Sequence, residues 1–253
     1  MVFNSLTEVP RNLKEGIDWL VALKGADAEN NLKAMGAAVY DFLADKPVGY
    51  TKLPALENVK LITKQFLEQK ELRDSSFVRK MLVRFKERLG KNFFNLRRLF
   101  CNTNVADLKN MMQYRCADAK GIAWIIGKVV GACETFVKTT KNPDSYDSAY
   151  SSEATWEASC TEDPEACAVV LVGIAPMLYG GLHALWSSTK VAIRNGPGSD
   201  AEKALRDVMK AVGYEEPECR ATLGSSDISW ALTDVDRELF TMLYDLCGFW
   251  AFY

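Results

Sequence analysis

Residues 168–186 read AVVLVGIAPMLYGGLHALW, nineteen consecutive residues without a charge. A run of this length is long enough to span a membrane as a helix, and it also fits the buried centre of a helical bundle. Pro176, three interrupting glycines, His183 and the acidic sequence TEDPEA (161–166) just before the run favour the buried helix. We therefore predict a central core helix, with a membrane span as the alternative that hydropathy alone does not separate from it.

The rest of the chain shows helical periodicity. In EGIDWLVALKG (15–25), apolar residues recur at the spacing of one helix face, and Gly25 provides a stop. Pro54 and Asp118 start further segments of the same kind, and no segment alternates as a strand would. We predict an all-α multi-helix bundle of about eleven helices without a sheet, with the long apolar helix kinked at Pro176.

The domain organisation follows from the positions of the turn signals. The sequence KNPDSYDS (141–148) is rich in turn-forming residues. We predict one helical domain over residues 1–253, and the alternative is two lobes, 1–140 and 149–253, that join near 141–148. Because the chain stops on the aromatic sequence GFWAFY (248–253), we expect either a docked C-terminus or a domain cut from a longer protein.

Composition limits the chemistry that this chain can perform. Its 253 residues include one histidine, His183, so any mechanism that needs two histidines is excluded. The sequence contains no P-loop, G-x-G-x-x-G, H-E-x-x-H or G-x-S-x-G motif. His183 lies in the apolar run, which favours a hydrogen-bonded core residue over a ligand. We predict a non-enzymatic protein with no catalytic residue, no cofactor and no metal site.

The net charge of −2 conceals an uneven distribution. Residues 73–98 carry nine basic and two acidic residues, whereas residues 146–167 carry six acidic residues and no basic one. The basic segment predicts a site for polyanions such as sulfated glycans, nucleic acid or acidic lipid headgroups, and the alternative is a solvated helix face paired with the acidic segment. The near-zero total charge does not favour nucleic acid. The candidate anion-binding residues are Arg79, Lys80, Arg84, Lys86, Arg97 and Arg98.

The cysteines and tryptophans give two further expectations. Cys160 and Cys167 bracket the acidic turn, so they are either a short-loop disulfide or two free thiols. There is no C-x-x-C pair, which argues against a zinc ribbon or a thioredoxin-like site. The tryptophans are expected to anchor the core, and a surface tryptophan would instead indicate a binding hot spot. They are Trp19, Trp124, Trp156, Trp186, Trp230 and Trp250.

Four strings carry a resemblance to a known family. The opening NSLTEVPRNLKEGIDWLVALKG (4–25) places Asn12, Leu13, Lys14, Glu15, Ile17, Asp18 and Trp19 after a Leu-Thr-x-x-Pro sequence. This opening resembles that of the variant erythrocyte surface antigens and related multigene surface proteins of Babesia-type piroplasm parasites. The strings at 149–182, EEPECR (215–220) and DLCGFWAFY (245–253) resemble the same group.

The resemblance implies a helical, parasite-exported protein at the infected red-cell surface or secreted, with a role in cytoadhesion and antigenic variation. The implied partners are a host cell-surface protein or glycan, and other family subunits. The chain lacks a conventional signal peptide, as such proteins do, so the sequence alone would predict the cytoplasm. It departs from the family in its length, its seven cysteines and the missing terminal span, and no catalytic or ligand residue transfers.

Overall fold

The computed structural model describes residues 2–86, 110, 112, 117–220 and 222–253. The helices within these ranges are α1 (Leu13–Lys24), α2 (Ala28–Ala44), α3 (Pro54–Leu67), α4 (Lys70–Arg73), α5 (Ser76–Lys86), α6 (Ala119–Thr140), α7 (Trp156–Cys160), α8 (Pro164–Asn195), α9 (Asp200–Ala211), α10 (Ser225–Ala231), α11 (Arg237–Leu246) and α12 (Phe249–Phe252). The prediction of an all-α bundle of about eleven helices is confirmed. The described ranges contain no strand, only isolated bridges between Phe3 and Tyr150 and between Lys141 and Cys219.

Helix α8 is the centre of the bundle. The carboxylate of Asp163 accepts a hydrogen bond from the backbone N–H of Ala166 at its start, and Gly196 ends it with a positive φ of 81°. The helix has 32 residues, continues through Pro176, and packs against α1, α2, α3, α5, α9, α10 and α11. A helix surrounded in this way must be apolar on all sides, which is the pattern that its sequence shows.

The glycines of α8 mark the points where neighbouring helices come closest. A Cβ atom at Gly173 would overlap the Val59 side chain of α3, and one at Gly180 would overlap Leu67 of the same helix. At Gly181 a Cβ would lie 3.0 Å from Cδ2 of Leu13 in α1. These glycines interrupt the apolar run because α1 and α3 cross it at short distance.

The apolar run is buried inside the protein. Within the described residues, α8 is the one helix that is long and apolar enough to span a membrane, and its most apolar window is 100% buried. Buried residues from both sides of the 141–148 segment belong to one hydrophobic core. The prediction of a long apolar core helix is therefore confirmed, since protein side chains cover it on every side.

The aromatic C-terminal segment docks onto the core, as one of the two expectations had it. Phe249, Trp250, Phe252 and Tyr253 are all buried. The carbonyl groups of Trp250 and Ala251 accept hydrogen bonds from the backbone of the segment between α2 and α3. Backbone and side-chain contacts together hold this end of the chain in place.

Candidate functional site

The opening motif of the chain forms the first turn and the buried face of α1. The side chain of Asn12 accepts a hydrogen bond from the backbone N–H of Glu15 and caps the helix. The indole of Trp19 is fully buried, and its Nε1–H donates to the carbonyl of Leu6 over 2.8 Å. These two residues of the motif therefore stabilise the fold, and Trp19 is not exposed to a partner.

Lys14 and Asp18 of the same motif form a buried polar network. Oδ1 of Asp18 accepts a hydrogen bond from the hydroxyl of Tyr146, and Oδ2 accepts one from the backbone N–H of Ala149. The Lys14 ammonium lies 3.3 Å from Asp18 and 2.9 Å from Glu218. The network connects α1 to the 141–150 segment and to the segment before Cys219.

The ionisation of this network reflects its burial. Burial raises the pKa of the Asp18 carboxyl, although Lys14 and the hydrogen bonds to Asp18 act in the opposite direction. Burial also opposes the charge of Lys14, but the carboxylates of Asp18 and Glu218 outweigh it and raise the pKa of that ammonium. Lys14, Asp18 and Glu218, held together by ion pairs and hydrogen bonds, form a structural connection, because removal of Lys14 would leave the buried Asp18 without its countercharge.

The predicted anion-binding residues divide into three groups. Arg79, Lys80 and Lys86 of α5 are exposed, on the side away from the buried Val78 and Met81. Arg84 is half-buried, so it is less accessible to an anion than these three residues. Arg97 and Arg98 lie outside the described residues. The Lys80 ammonium lies 5.6 Å from the ring centroid of Phe77.

The one histidine lies in an aromatic cluster between α5, α8 and α11. His183 is 4% exposed, and its ring centroid lies 3.7 Å from that of Phe77 and 5.0 Å from that of Phe240. Burial lowers the pKa of the imidazole to about 4, with a small further contribution from Lys190. His183 is a core residue, as expected, but ring contacts surround it, and its Nδ1 has no hydrogen-bond partner.

The structure corrects the expectation that the tryptophans anchor the core. Trp19 and Trp250 do so, but Trp124 is 53% exposed and Trp230 is 72% exposed. Along α6, Trp124 shares a face with Lys128 and Gly131 at helical spacings of four and seven, whereas the buried face carries the branched residues. In α10, Trp230 likewise shares a helix face with the polar Asp227, which indicates an exposed position. Helical-wheel position therefore separates these two residues from the core tryptophans.

Trp124 stands at a surface groove that no single stretch of sequence predicts. The groove has a volume of about 520 Å³ and lies between α6 and the segment that leads from α10 into α11. Its lining residues are Trp124, Gly127, Lys128, Gly131, Ala132, Thr135, Thr233, Asp234, Asp236, Glu238, Leu239 and Met242. Since its two sides lie about a hundred residues apart in the chain, only the packing of α6 against α10 and α11 brings them together.

Cys160 and Cys167 are joined by a disulfide, with their Cα atoms 5.9 Å apart. The bond closes the acidic turn between α7 and α8. Among the other cysteines, Cys133 and Cys219 are free and buried, and the buried Cys247 thiol donates a hydrogen bond to the carbonyl of Leu243. Cys101 and Cys116 lie outside the described residues. Within the described part of the chain, no group of three His, Cys, Asp or Glu side chains is arranged to hold a metal ion.

Comparisons with known proteins give no relative for this chain. No protein-family model matches it, and neither the curated proteins nor the solved structures give a significant match.

Proposed function

We propose that this chain is a non-enzymatic domain for host-cell interaction that binds a host cell-surface protein. The observation that supports it is the exposure of Trp124 and Trp230 on the neighbouring helices α6 and α10. Tryptophan is strongly enriched among the residues that contribute most of the binding energy in protein interfaces. Two large indoles that the fold leaves in solvent are therefore best explained by a partner.

The resemblance to piroplasm surface antigens supplies the setting of this proposal. It implies export to the infected erythrocyte or secretion, and a role in cytoadhesion and antigenic variation. An antibody to this chain tests the setting by immunolocalisation in infected red cells. Staining at the erythrocyte surface or in the medium is expected, and confinement to the parasite cytosol would contradict export.

The binding test uses the labelled chain on erythrocytes and endothelial cells. We expect saturable binding that the double substitution Trp124→Ala, Trp230→Ala weakens by about tenfold or more. A matched control is Val191→Ala, Ile193→Ala, which removes two other exposed apolar side chains from the end of α8. Absence of binding by the unmodified chain, or equal losses in both variants, would contradict the proposal.

A second candidate function is polyanion binding by α5. It is favoured by the exposure of Arg79, Lys80 and Lys86 on one short helix. We expect retention on heparin at about 0.15 M salt, where charge interactions are screened beyond about 8 Å. Reversal of these three charges to Glu should abolish retention.

A matched charge reversal separates local recognition from net charge. Lys203, Arg206 and Lys210 are exposed on α9, and their reversal to Glu changes the net charge by the same amount. If both triple variants lose retention equally, the interaction depends on total charge and the α5 site is refuted. If the unmodified chain elutes below 0.15 M salt, polyanion binding itself is refuted.

A further inference from the structure

The groove beside Trp124 has a floor of small residues. On α6, Gly131 is exposed and Gly127 is half-buried, whereas Ala132 beside them is buried. A Cβ atom added at Gly131 would have no atom of the protein within 4 Å. The helix surface at this point is therefore open, and the bulk of a ligand side chain has room above it.

Carboxylates line the opposite wall of the groove. Oδ2 of Asp234 accepts a hydrogen bond from the Thr135 hydroxyl over 3.0 Å, and Oδ1 of Asp236 accepts one from the backbone N–H of Leu239 over 2.9 Å. These bonds fix both carboxylates in position and use one oxygen of each, while a carboxylate accepts through two. Glu238 adds a third negative charge, against the single positive charge of Lys128.

Trp124 already serves as a surface for a cation. The Lys128 ammonium lies 5.6 Å from its ring centroid, within the range of a cation–π interaction. The indole is nevertheless 53% exposed, so most of its area is not covered by this lysine. A flat arginine side chain from a partner stacks well on such a ring, and its guanidinium forms paired hydrogen bonds with carboxylates.

We propose that this groove binds an arginine- or lysine-bearing segment of a partner protein. Charge complementarity selects the occupant, because three carboxylates face one ammonium in the groove. The groove volume of about 520 Å³ lies within the range of about 300–1,000 Å³ that is typical of ligand pockets. The inference rests on the proposed function, since it names the chemistry of the partner that the exposed tryptophans bind.

A display library of short random peptides, selected on the folded chain, tests the proposal. We expect the selected peptides to be enriched in Arg and Lys relative to the unselected library. Gly131→Leu should weaken their binding by about tenfold or more, because its side chain occupies the floor of the groove from a position where a Cβ meets no atom within 4 Å. Ala204→Leu is the control, since it adds the same side chain to an exposed position on α9.

A charge-neutralising pair tests the carboxylates themselves. Asp234→Asn with Glu238→Gln should weaken the same peptides by about tenfold, whereas Glu157→Gln with Asp207→Asn, two exposed carboxylates elsewhere, should leave binding unchanged. Selection of no peptides, of acidic peptides, or of peptides that bind the Gly131→Leu variant equally well would overturn the proposal. Circular dichroism and a thermal melt establish that each variant is folded before it is scored.

The cell-binding assay distinguishes this inference from the proposed function. If the unmodified chain binds cells and Gly131→Leu binds them equally, only the groove proposal fails. If the unmodified chain binds no cells while the basic peptides bind in the groove, only the host-cell setting fails.

Discussion

Acid should destabilise this protein through its single histidine. The pKa of His183 is lowered by burial from 6.5 to about 4 in the folded chain. The unfolded chain therefore takes up a proton at His183 below pH 6.5, while the folded chain does so only near pH 4. The stability associated with neutral His183 is fully present above pH 6.5 and is lost as the pH falls towards 4.

The size of this effect follows from the two pKa values. Each pKa unit of difference corresponds to about 1.4 kcal/mol, so the difference of about 2.5 units gives a loss of about 3 kcal/mol in the free energy of unfolding. Although His183 is only 4% exposed, the neighbouring Phe77 is 38% exposed, so solvent screening makes about 3 kcal/mol an upper value for the loss. For a chain of this size the loss corresponds to a decrease in Tm of about 6–12 °C.

Two measurements check the prediction. The chain has one histidine, so its imidazole proton signals in NMR are unambiguous and their titration gives the pKa directly. Urea unfolding at pH 7 and at pH 4.5 is then compared between the unmodified chain and His183→Phe, which keeps a ring among Phe77 and Phe240 but does not titrate. Between pH 7 and pH 4.5 the free energy of unfolding of the variant should fall by about 2–3 kcal/mol less than that of the unmodified chain.

The variant also serves as the control for every other titrating group. Both proteins share the same carboxylates, so the difference between their two pH-dependent losses isolates His183. An NMR pKa near 6.5, or equal losses in the two proteins, would refute the burial of His183 in the aromatic cluster.

Three further predictions concern stability. Gly131→Ala should raise the free energy of unfolding by about 0.5–1 kcal/mol in a thermal melt, because alanine favours the helix and its Cβ meets no atom there; a decrease would contradict the open groove floor. Asp18→Ala should lower the free energy of unfolding by about 3 kcal/mol in urea unfolding, the lower end of the cost of breaking a buried ion pair, because Glu218 still pairs with Lys14. The control Asp41→Ala, on the exposed face of α2, should change it by less than about 0.5 kcal/mol. Reduction of the Cys160–Cys167 bond should cost about 2–3 kcal/mol, as expected for a short closed loop, and unchanged melting with a reductant would contradict a closed disulfide.

The sequence predicted the helices and the central position of α8 because both follow from local patterns. A long uncharged run, helix-capping residues and apolar periodicity are each contained in one segment, so they can be interpreted without knowing which segments pack against it. The packing role of Gly173 and Gly180 could not be predicted from local patterns. Their role is to admit Val59 and Leu67, which lie more than a hundred residues away in the chain.

The candidate site was missed for a related reason. Residue type alone assigned Trp124 to the core, whereas its position on the same face of α6 as Lys128 and Gly131 places it outside. That signal was present in the sequence. The groove itself was not, because Asp234 and Asp236 belong to a segment that reaches α6 only through the packing of α10 and α11.

The structural roles of the motif residues limit what the family resemblance can say about binding. Asn12, Lys14, Asp18 and Trp19, which carry its most specific part, cap a helix, form a buried ionic network or fill the core. The groove residues Trp124 and Gly131 lie outside all four resembling strings. Similarity through the opening motif therefore predicts the scaffold of a related protein, and under the proposal above the side chains at the groove determine which partner it binds. Exchange of the groove residues between two proteins that share the motif should transfer peptide preference without a change in fold.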